Sequence, residues 1–377
     1  MTIDELVAHE FPLDPALIYL NHAAVAPWPR RTAEAVQKFA QENMRSGAAN
    51  YGAWQQVEND LRVQCARVIN AAAAADVAFL KNTSEALSVV AHGFPWVNGD
   101  NVVIADEEFP SNRIVWESLR PTGVEVRVIR LRAGPDPEQA LIEASDRSTR
   151  LISVSSVQYA SGLRIDLPKL GALCRRRNIA FCVDAIQGLG AYPHDVTAMG
   201  IDFLMADAHK WLLGPEGIAV FYCRPEWRER LILRQYGWRM VEGAGDYDRT
   251  EWEPARSARR FECGSPNMLG IHALSASLSL LLEVGIPEIE RRVLARAERI
   301  FAGVADRPEL ELLTRKEPGR YAGIVTFRHR HKPSAELHAA LRKHGVICAP
   351  RGGGIRFSPH FYTSLDQIDR ALTLAAR

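Results

Sequence analysis

Cysteine is scarce in this sequence of 377 residues, and its spacing excludes two classes of structure. The six cysteines are Cys65, Cys174, Cys182, Cys223, Cys263 and Cys348. They form no CxxC pair, which argues against a zinc site, and four of them stand in apolar runs. We therefore expect buried free thiols in a reducing cytoplasm, rather than a disulfide framework or a metal centre.

The sequence also lacks an excess of charge of either sign and any long apolar run. Lysine and arginine total 46 and aspartate and glutamate 45, a formal net charge of +1. This balance does not indicate a nucleic-acid partner or a membrane surface. No run reaches the roughly 18 apolar residues of a membrane helix, and the N-terminal MTIDELVAHEF lacks the apolar core of a signal peptide. We expect a cytoplasmic protein whose partners are small molecules.

What the sequence does contain is a series of short, β-branched apolar runs separated by helix-like segments. The runs are VAFL (77–80), NVVIAD (101–106), VEVRVIRL (124–131), LISVSSV (151–157), IAFCVDAI (179–186), FLMADA (203–208) and IAVFYC (218–223). This alternation predicts an α/β domain with a mostly parallel sheet covered on both faces. The last run follows a GPEG turn closely, and for this run an antiparallel strand is the alternative.

The pattern changes after Arg260, where two long helical segments precede a strand, helix and strand. These segments predict a smaller α+β domain at the C-terminus. We predict an N-terminal arm over 1–15, a large domain over 16–285 and a small domain over 286–377.

One lysine and one aspartate stand where catalytic groups of an α/β enzyme are found. Lys210 follows the apolar run FLMADA, and Asp184 ends the apolar run before it. Both are expected at the carboxyl edge of neighbouring strands, where ligands bind. A desolvated lysine suits Schiff-base chemistry, and a buried carboxylate suits a protonated pyridine nitrogen. A surface lysine and a helix-capping aspartate are the alternatives, and the pairing favours pyridoxal phosphate.

The segment KNTSEAL offers a place for a phosphate group. Thr83 and Ser84 follow the run VAFL and begin a predicted helix, whose free amides and dipole attract anions. The same residues could form a capping box, and the two interpretations are compatible.

Taken together, the motifs resemble those of the class V aminotransferase and cysteine desulfurase family, which are pyridoxal phosphate enzymes of fold type I. The motifs are IYLNHAAVAPWP, NTSEA, DEEFPSN, SSVQYASG, VDAIQGLG, ADAHKWLLGPEG, FECGSPN and GGGIRFSPHFYTS. The resemblance implies that Lys210 binds the cofactor covalently and that Asp184 pairs with its ring nitrogen. It also implies that Gln187 contacts the phenolic oxygen and that Phe109 stacks on the ring.

The resemblance further implies the other contacts of the site. Thr83 and Ser84 would bind the phosphate, with His209 as a further donor. Ser265 would reach the phosphate of a partner subunit, which implies a homodimer with active sites at its interface.

The substrate would meet a different set of side chains. Arg356 would clamp a substrate carboxylate, as arginine does best, although a strand-surface arginine is the alternative. Asn21, His22 and Tyr159 are further substrate-binding candidates, and Trp238 is a weaker one.

The sequence departs from the family at two positions. Asp207 replaces a phosphate-binding serine or threonine, and a carboxylate there is unfavourable unless it turns away or is paired. The desulfurases carry a nucleophilic cysteine on a loop well before the clamp arginine. Cys348 lies only eight residues before Arg356 and is expected to be buried. RGGGI (351–355) lacks the context of a phosphate loop and predicts a tight turn.

These observations lead to a primary functional hypothesis and several alternatives. The primary hypothesis is a pyridoxal phosphate-dependent aminotransferase acting on a small amino donor with an α-carboxylate. The alternatives on the same scaffold are a desulfurase-like C–S lyase and an amino-acid racemase or epimerase. A non-catalytic pyridoxal phosphate-binding protein is less favoured, and so is an NAD enzyme, because no GxGxxG follows the first strands.

Overall fold

Helices and strands alternate along residues 2–377, which are the residues that the structure, a computed structural model, describes. The helices are α1 Ile3–Glu10, α2 Arg30–Ser46, α3 Tyr51–Ile69, α4 Thr83–Gly93, α5 Ser111–Glu117, α6 Pro137–Glu143, α7 Leu167–Arg177, α8 Pro225–Arg228, α9 Met268–Val284, α10 Ile286–Ala305, α11 Ser334–Lys343 and α12 Leu365–Ala375. The strands are β1 Ile18–Tyr19, β2 Val77–Leu80, β3 Asn101–Ala105, β4 Glu125–Ile129, β5 Thr149–Ser155, β6 Ala180–Asp184, β7 Phe203–Asp207, β8 Ala219–Cys223, β9 Leu310–Leu312, β10 Val325–His329, β11 Val346–Ile347, β12 Ala349–Arg351 and β13 Gly354–Phe357.

Seven of these strands form one large sheet in the order β2-β8-β7-β6-β5-β3-β4. The five strands from β3 to β7 are all parallel to one another. Strand β8 is antiparallel to both of its neighbours, β2 and β7. The predicted mostly parallel sheet is therefore confirmed. The antiparallel β8 follows from its short GPEG connection, which leaves no room for a crossover helix.

The central strands carry continuous apolar runs because both faces of the sheet are covered. Every residue of β6 and of β8 is buried. One face packs into a cluster that includes residues of α3 and α9, and the other packs against α4 and α5. Such continuous apolar runs are typical of strands with helices on both sides.

A second, four-stranded antiparallel sheet lies in the C-terminal part, in the order β12-β13-β10-β9. It shares an apolar cluster with α11 and α12. The predicted domain boundary at about 285 falls on Gly285, which separates α9 from α10. The exact division remains a prediction, because β1, from the predicted large domain, pairs in parallel with β11 of the C-terminal part.

The order of the strands places two acidic residues at one edge of the large sheet. Asp184 is the last residue of β6 and Asp207 is the last residue of the adjacent β7. Helix α4 begins at Thr83, near the same edge. Among the described residues, no single helix is long and apolar enough to span a membrane. Helices α9 and α10 reach the necessary length and apolar character only when they are taken together, and the chain bends by 82° between them.

Candidate active site

A cavity of about 270 Å³ opens at this edge of the sheet. It brings together most of the side chains that the sequence singled out, from both the large sheet and the C-terminal hairpin. The predicted residues that line it are Thr83, Ser84, Phe109, Tyr159, Asp184, Gln187, His209, Lys210 and Arg356.

Lys210 and Asp184 are both buried in this cavity, with relative exposures of 8% and 1%. Burial lowers the pKa of Lys210, and the nearby Arg356 lowers it further, whereas Asp184 opposes this shift. Burial likewise raises the pKa of Asp184, whose Oδ1 accepts a hydrogen bond of 3.0 Å from the Ile186 amide. The lysine is thus held closer to its neutral, nucleophilic form than an exposed lysine would be.

Arg356 brings a buried cation to the cavity, close enough to Lys210 to lower the pKa of that lysine. Its Nη1 donates to the Tyr159 carbonyl at 2.7 Å, and its buried Nε has no hydrogen-bond partner. Burial lowers its pKa to about 10, so the guanidinium stays charged at neutral pH. A buried arginine with unused donors is suited to bind a carboxylate through two parallel hydrogen bonds.

Phe109 and Tyr159 form an aromatic wall of the cavity. Their ring centroids are 5.2 Å apart with an interplanar angle of 83°, an edge-to-face contact. The Lys210 Nζ lies 5.6 Å from the centroid of Phe109. Phe109 is 42% exposed, so much of its ring is free to contact a ligand. Gln187 is 2% exposed, and its Nε2 donates to the Ala23 carbonyl at 3.0 Å.

Asp207 is paired with the first residue of α4. The Thr83 amide donates to Asp207 Oδ1 at 2.6 Å, and the Asp207 amide donates to Thr83 Oγ1 at 3.1 Å. Burial raises the pKa of Asp207 to about 6. From the sequence, we expected a carboxylate beside a phosphate only if it turned away or had a partner. The Asp207 carboxylate has a partner, the Thr83 amide. It occupies a helix amide that an anion would otherwise use.

His209 and Ser84 complete this end of the cavity. His209 Nδ1 lies 3.6 Å from Asp207 Oδ2 and is buried without a hydrogen-bond partner, and burial lowers the pKa of His209 to about 4. Ser84 Oγ donates to Ser111 Oγ at 2.8 Å. A neutral histidine and two serine hydroxyls can each donate to an oxyanion.

Four candidates from the sequence do not line this cavity. His22 is completely buried, and its Nδ1 and Nε2 contact the Ser358 carbonyl (2.9 Å) and the Tyr362 hydroxyl (2.6 Å). These contacts occupy both ring nitrogens, and the role of His22 in substrate binding stays a prediction. Its neighbour Asn21 has a buried Oδ1 without a partner, and its role stays a prediction.

The other two candidates line separate cavities. Ser265 lies in a cavity with Lys81 and Asn267, and its reach towards a partner subunit stays a prediction. Trp238 lies in a cavity of about 460 Å³ with the exposed Tyr236 and Tyr247.

Sequence reasoning missed several residues of the site. Ser111, Glu216 and Arg351 line the cavity. Glu108 lines a second cavity that also includes Tyr159, and its buried carboxylate accepts hydrogen bonds from Ser155, Gln158 and Asn112. Glu108 precedes Phe109 in the EEFPSN motif and Glu216 belongs to the GPEG turn, so their positions in motifs were the available signal.

The residues present fit pyridoxal phosphate. Asp184 is a buried carboxylate that a protonated ring nitrogen would stabilise, and Lys210 can bind the aldehyde carbon. The unused donor of Arg356 fits a substrate carboxylate. Only the phosphate end departs from a simple fit, because Asp207 and Glu216 add acidic groups there.

Among the described residues, no cysteine side chain lines this cavity. All six cysteines are free, and five are buried, with Cys263 half-buried. Cys348 packs in the C-terminal core, where burial raises its pKa to about 12. The predicted burial of Cys348 is confirmed.

Comparisons with known proteins agree with this arrangement. Residues 18–370 match the family model "Aminotransferase class-V". A probable cysteine desulfurase of Methanothermobacter thermautotrophicus is 29% identical over 97% of this chain and 95% of its own length. The uncharacterized aminotransferase YcbU of Bacillus subtilis is 32% identical over 79% of this chain and 77% of its own.

A solved structure supports the same relationship. The apo cysteine desulfurase of Thermococcus onnurineus NA1 superimposes with a TM-score of 0.89 at 25% identity, covering 99% of this chain and 97% of its own. The fold type that the sequence predicted is confirmed, and so is pyridoxal phosphate as the cofactor. The chain belongs to the class-V aminotransferase family of pyridoxal phosphate-dependent enzymes.

Proposed function

We propose that this protein is a C–S lyase that acts on a sulfur-containing amino acid without using a protein thiol. One observation carries the proposal: Lys210, Asp184 and Arg356 share a cavity to which no cysteine contributes. The names of the relatives that are probable cysteine desulfurases support cleavage of a C–S bond. This proposal replaces the aminotransferase as our leading hypothesis.

Each of the three residues has a chemical task in this reaction. Bound pyridoxal phosphate supplies an electron sink that stabilises negative charge at the substrate Cα. Arg356 holds the α-carboxylate and so orients the amino acid. Lys210 removes the Cα proton, a task that its lowered pKa favours. Asp184 keeps a proton on the ring nitrogen.

The absence of a nearby thiol determines which products we expect. A desulfurase passes the sulfur atom to a protein cysteine and leaves alanine. Without such an acceptor, the sulfur leaves with the bonding electrons as a thiolate, which is then protonated. For cysteine, addition of one water gives pyruvate, ammonia and hydrogen sulfide, and no oxidant or reductant is required.

An aminotransferase is the second candidate. It also needs no thiol and uses the same lysine, and the relative YcbU carries that name. In this reaction Lys210 would return the proton to the C4′ carbon of the cofactor instead of allowing a side-chain group to leave. A racemase would return the proton to Cα from the other face.

The test is product analysis of the holoenzyme with cysteine, with S-substituted cysteines, and with amino acids that lack a leaving group. Pyruvate and ammonia in equal amounts, with continued turnover in the absence of a keto acid, would support the lyase. Alanine with protein-bound sulfur would indicate a desulfurase. Conversion of the cofactor to its amine form, reversed by a keto acid, would indicate an aminotransferase. Inverted substrate would indicate a racemase.

A further inference from the structure

The RGGGI segment forms a hairpin that places two arginines on one face. In strands β12 and β13, Ala349 pairs with Arg356 and Arg351 pairs with Gly354. Because side chains alternate along a strand, Arg351 and Arg356 project from the same face of the hairpin. They are diagonal neighbours, about 7–8 Å apart at the backbone. Both line the cavity that holds Lys210.

The turn of this hairpin holds Arg351 in place. Gly352 and Gly353 form its two-residue connection, with φ angles of +59° and +78°. Two successive residues with positive φ are typical of the tight turn that joins antiparallel strands, and glycine adopts this conformation without strain. A side chain at Gly352 would also come within 3.0 Å of the Ala160 carbonyl.

The two guanidinium groups have no acidic partner in the described chain. Arg356 donates only to the Tyr159 carbonyl, and Arg351 donates only to the carbonyl of its neighbour Pro350. Arg351 is exposed at the cavity edge, and its charge acts against that of Arg356. The acidic groups Asp184, Asp207 and Glu216 line the cavity too, but none of them contributes to the shift in the pKa of Arg356. Two like charges side by side are unfavourable until anions bind between them.

We propose that Arg351 is a second anion-binding residue of the substrate pocket, so that the preferred substrate is an α-amino acid whose side chain ends in a carboxylate or another oxyanion. This inference rests on the proposed function. Arg356 takes the α-carboxylate, because its buried donors are next to the reacting lysine. Arg351, at the edge of the cavity, takes the distal anion. For a C–S lyase, the substrate is a cysteine whose sulfur substituent carries the negative charge.

The experiment compares ligands that differ only in this distal charge. S-carboxymethylcysteine and S-carbamoylmethylcysteine have nearly the same size, as do aspartate and asparagine. Apparent dissociation constants are measured for the holoenzyme from the change in its visible spectrum. The variants are Arg351→Gln, Arg356→Gln and, as a control, Arg328→Gln, which removes an exposed arginine that pairs with Glu311 on the same sheet.

We expect the natural protein and the Arg328→Gln control to bind each anionic ligand about tenfold more tightly than its neutral counterpart, as one charge-assisted hydrogen-bonded contact provides. Arg351→Gln should abolish this preference and change the binding of the neutral ligands less than about twofold. Arg356→Gln should weaken both members of each pair.

Two results would overturn the inference. If the natural protein shows no preference, or if Arg351→Gln retains it, the second anion site is wrong while the proposed lyase activity still stands. If no amino acid of the panel perturbs the spectrum, the proposed function and this inference both fail.

Discussion

The indole nitrogen of Trp211 donates a hydrogen bond of 3.0 Å to Oε1 of Gln187. An indole N–H can only donate and the Ala23 carbonyl can only accept, so these two contacts fix which way the Gln187 amide points. Gln187 therefore has an N–H left to offer to the cavity. Trp211 is itself held by His360, whose Nε2 contacts the Trp211 carbonyl at 3.1 Å.

Replacement of Trp211 by phenylalanine tests this relationship. The hydrogen bond contributes about 1 kcal/mol, so we expect cofactor affinity to fall about fivefold, with a shift in the pH at which the visible band changes. The same substitution in a Gln187→Ala background should have little further effect on the spectrum. Trp54→Phe is the matched control, because Trp54 is also buried but donates to Glu42. An unchanged spectrum in Trp211→Phe would remove Trp211 from this positioning role.

Replacement of Lys210 by alanine should remove the visible band of the covalently bound cofactor. It should also lower turnover by about 10²- to 10⁴-fold or more, because the general base is lost together with the covalent link. Absorption spectra and single-turnover assays measure the two effects, and circular dichroism checks the fold. A variant that keeps the band would show that another amine binds the cofactor.

Asp207 should make cofactor binding depend on pH. The pKa of its carboxyl is raised to about 6 by burial, and the acidic Glu216 contributes in the same direction, whereas Thr83 and Lys210 oppose the shift. A bound phosphate dianion raises the pKa further, so binding takes up a proton above pH 6. Affinity should therefore decline as the pH rises through 6, by up to about tenfold per unit.

The matched variant is Asp207→Asn, which can still accept the Thr83 hydrogen bond. Dissociation constants of pyridoxal phosphate are measured between pH 5 and 8 for both proteins. The two should agree near pH 5 and diverge above pH 6, with the variant binding more tightly. His209, whose ring faces Asp207 at 3.6 Å, contributes equally in both. Parallel pH profiles would contradict the prediction.

Cys348→Ala should leave sulfur release within about twofold of the natural protein, because this thiol packs in the C-terminal core and is absent from the cavity. The loss of a buried sulfur should lower the free energy of unfolding by about 1–2 kcal/mol. Sulfide assays and chemical denaturation measure the two quantities. Complete loss of activity in a folded variant would favour a desulfurase mechanism.

Ser265→Ala tests whether a partner subunit completes the site. Ser265 does not line the cavity that holds Lys210 of the same chain; it lines a separate one. We therefore expect its removal to affect cofactor affinity only if Ser265 reaches the phosphate bound by a second copy of the chain. Sedimentation measures the oligomeric state. Mixed dimers of Ser265→Ala and Lys210→Ala should hold one intact site each. Full cofactor affinity in a dimeric Ser265→Ala protein would exclude this contact.

The sequence was most informative where local chemistry and chain order suffice. Continuous apolar runs such as 179–183 indicated buried strands, because both faces of such a strand are covered. Since parallel strands end at one edge, Asp184 and Lys210 could be placed near each other without coordinates. Arg356 and Phe109 were found through motifs around them, and the turn at 352–353 through its glycines.

Contacts between distant segments could only be read from the tertiary structure. His22 stands in a motif of the family, yet its ring contacts Ser358 and Tyr362, which are more than 300 residues away in the chain. The pairing of Asp207 with Thr83 and the contact of Trp211 with Gln187 likewise join separate elements.

The fold class and the cofactor followed from the sequence alone, and Lys210 was identified there as the candidate lysine, because these depend on residue type and on order along the chain. The tertiary structure decided which side chains share the cavity. It excluded the cysteines from the cavity and set Arg351 beside Arg356, because strand register and packing, rather than position in a motif, determine where a side chain points.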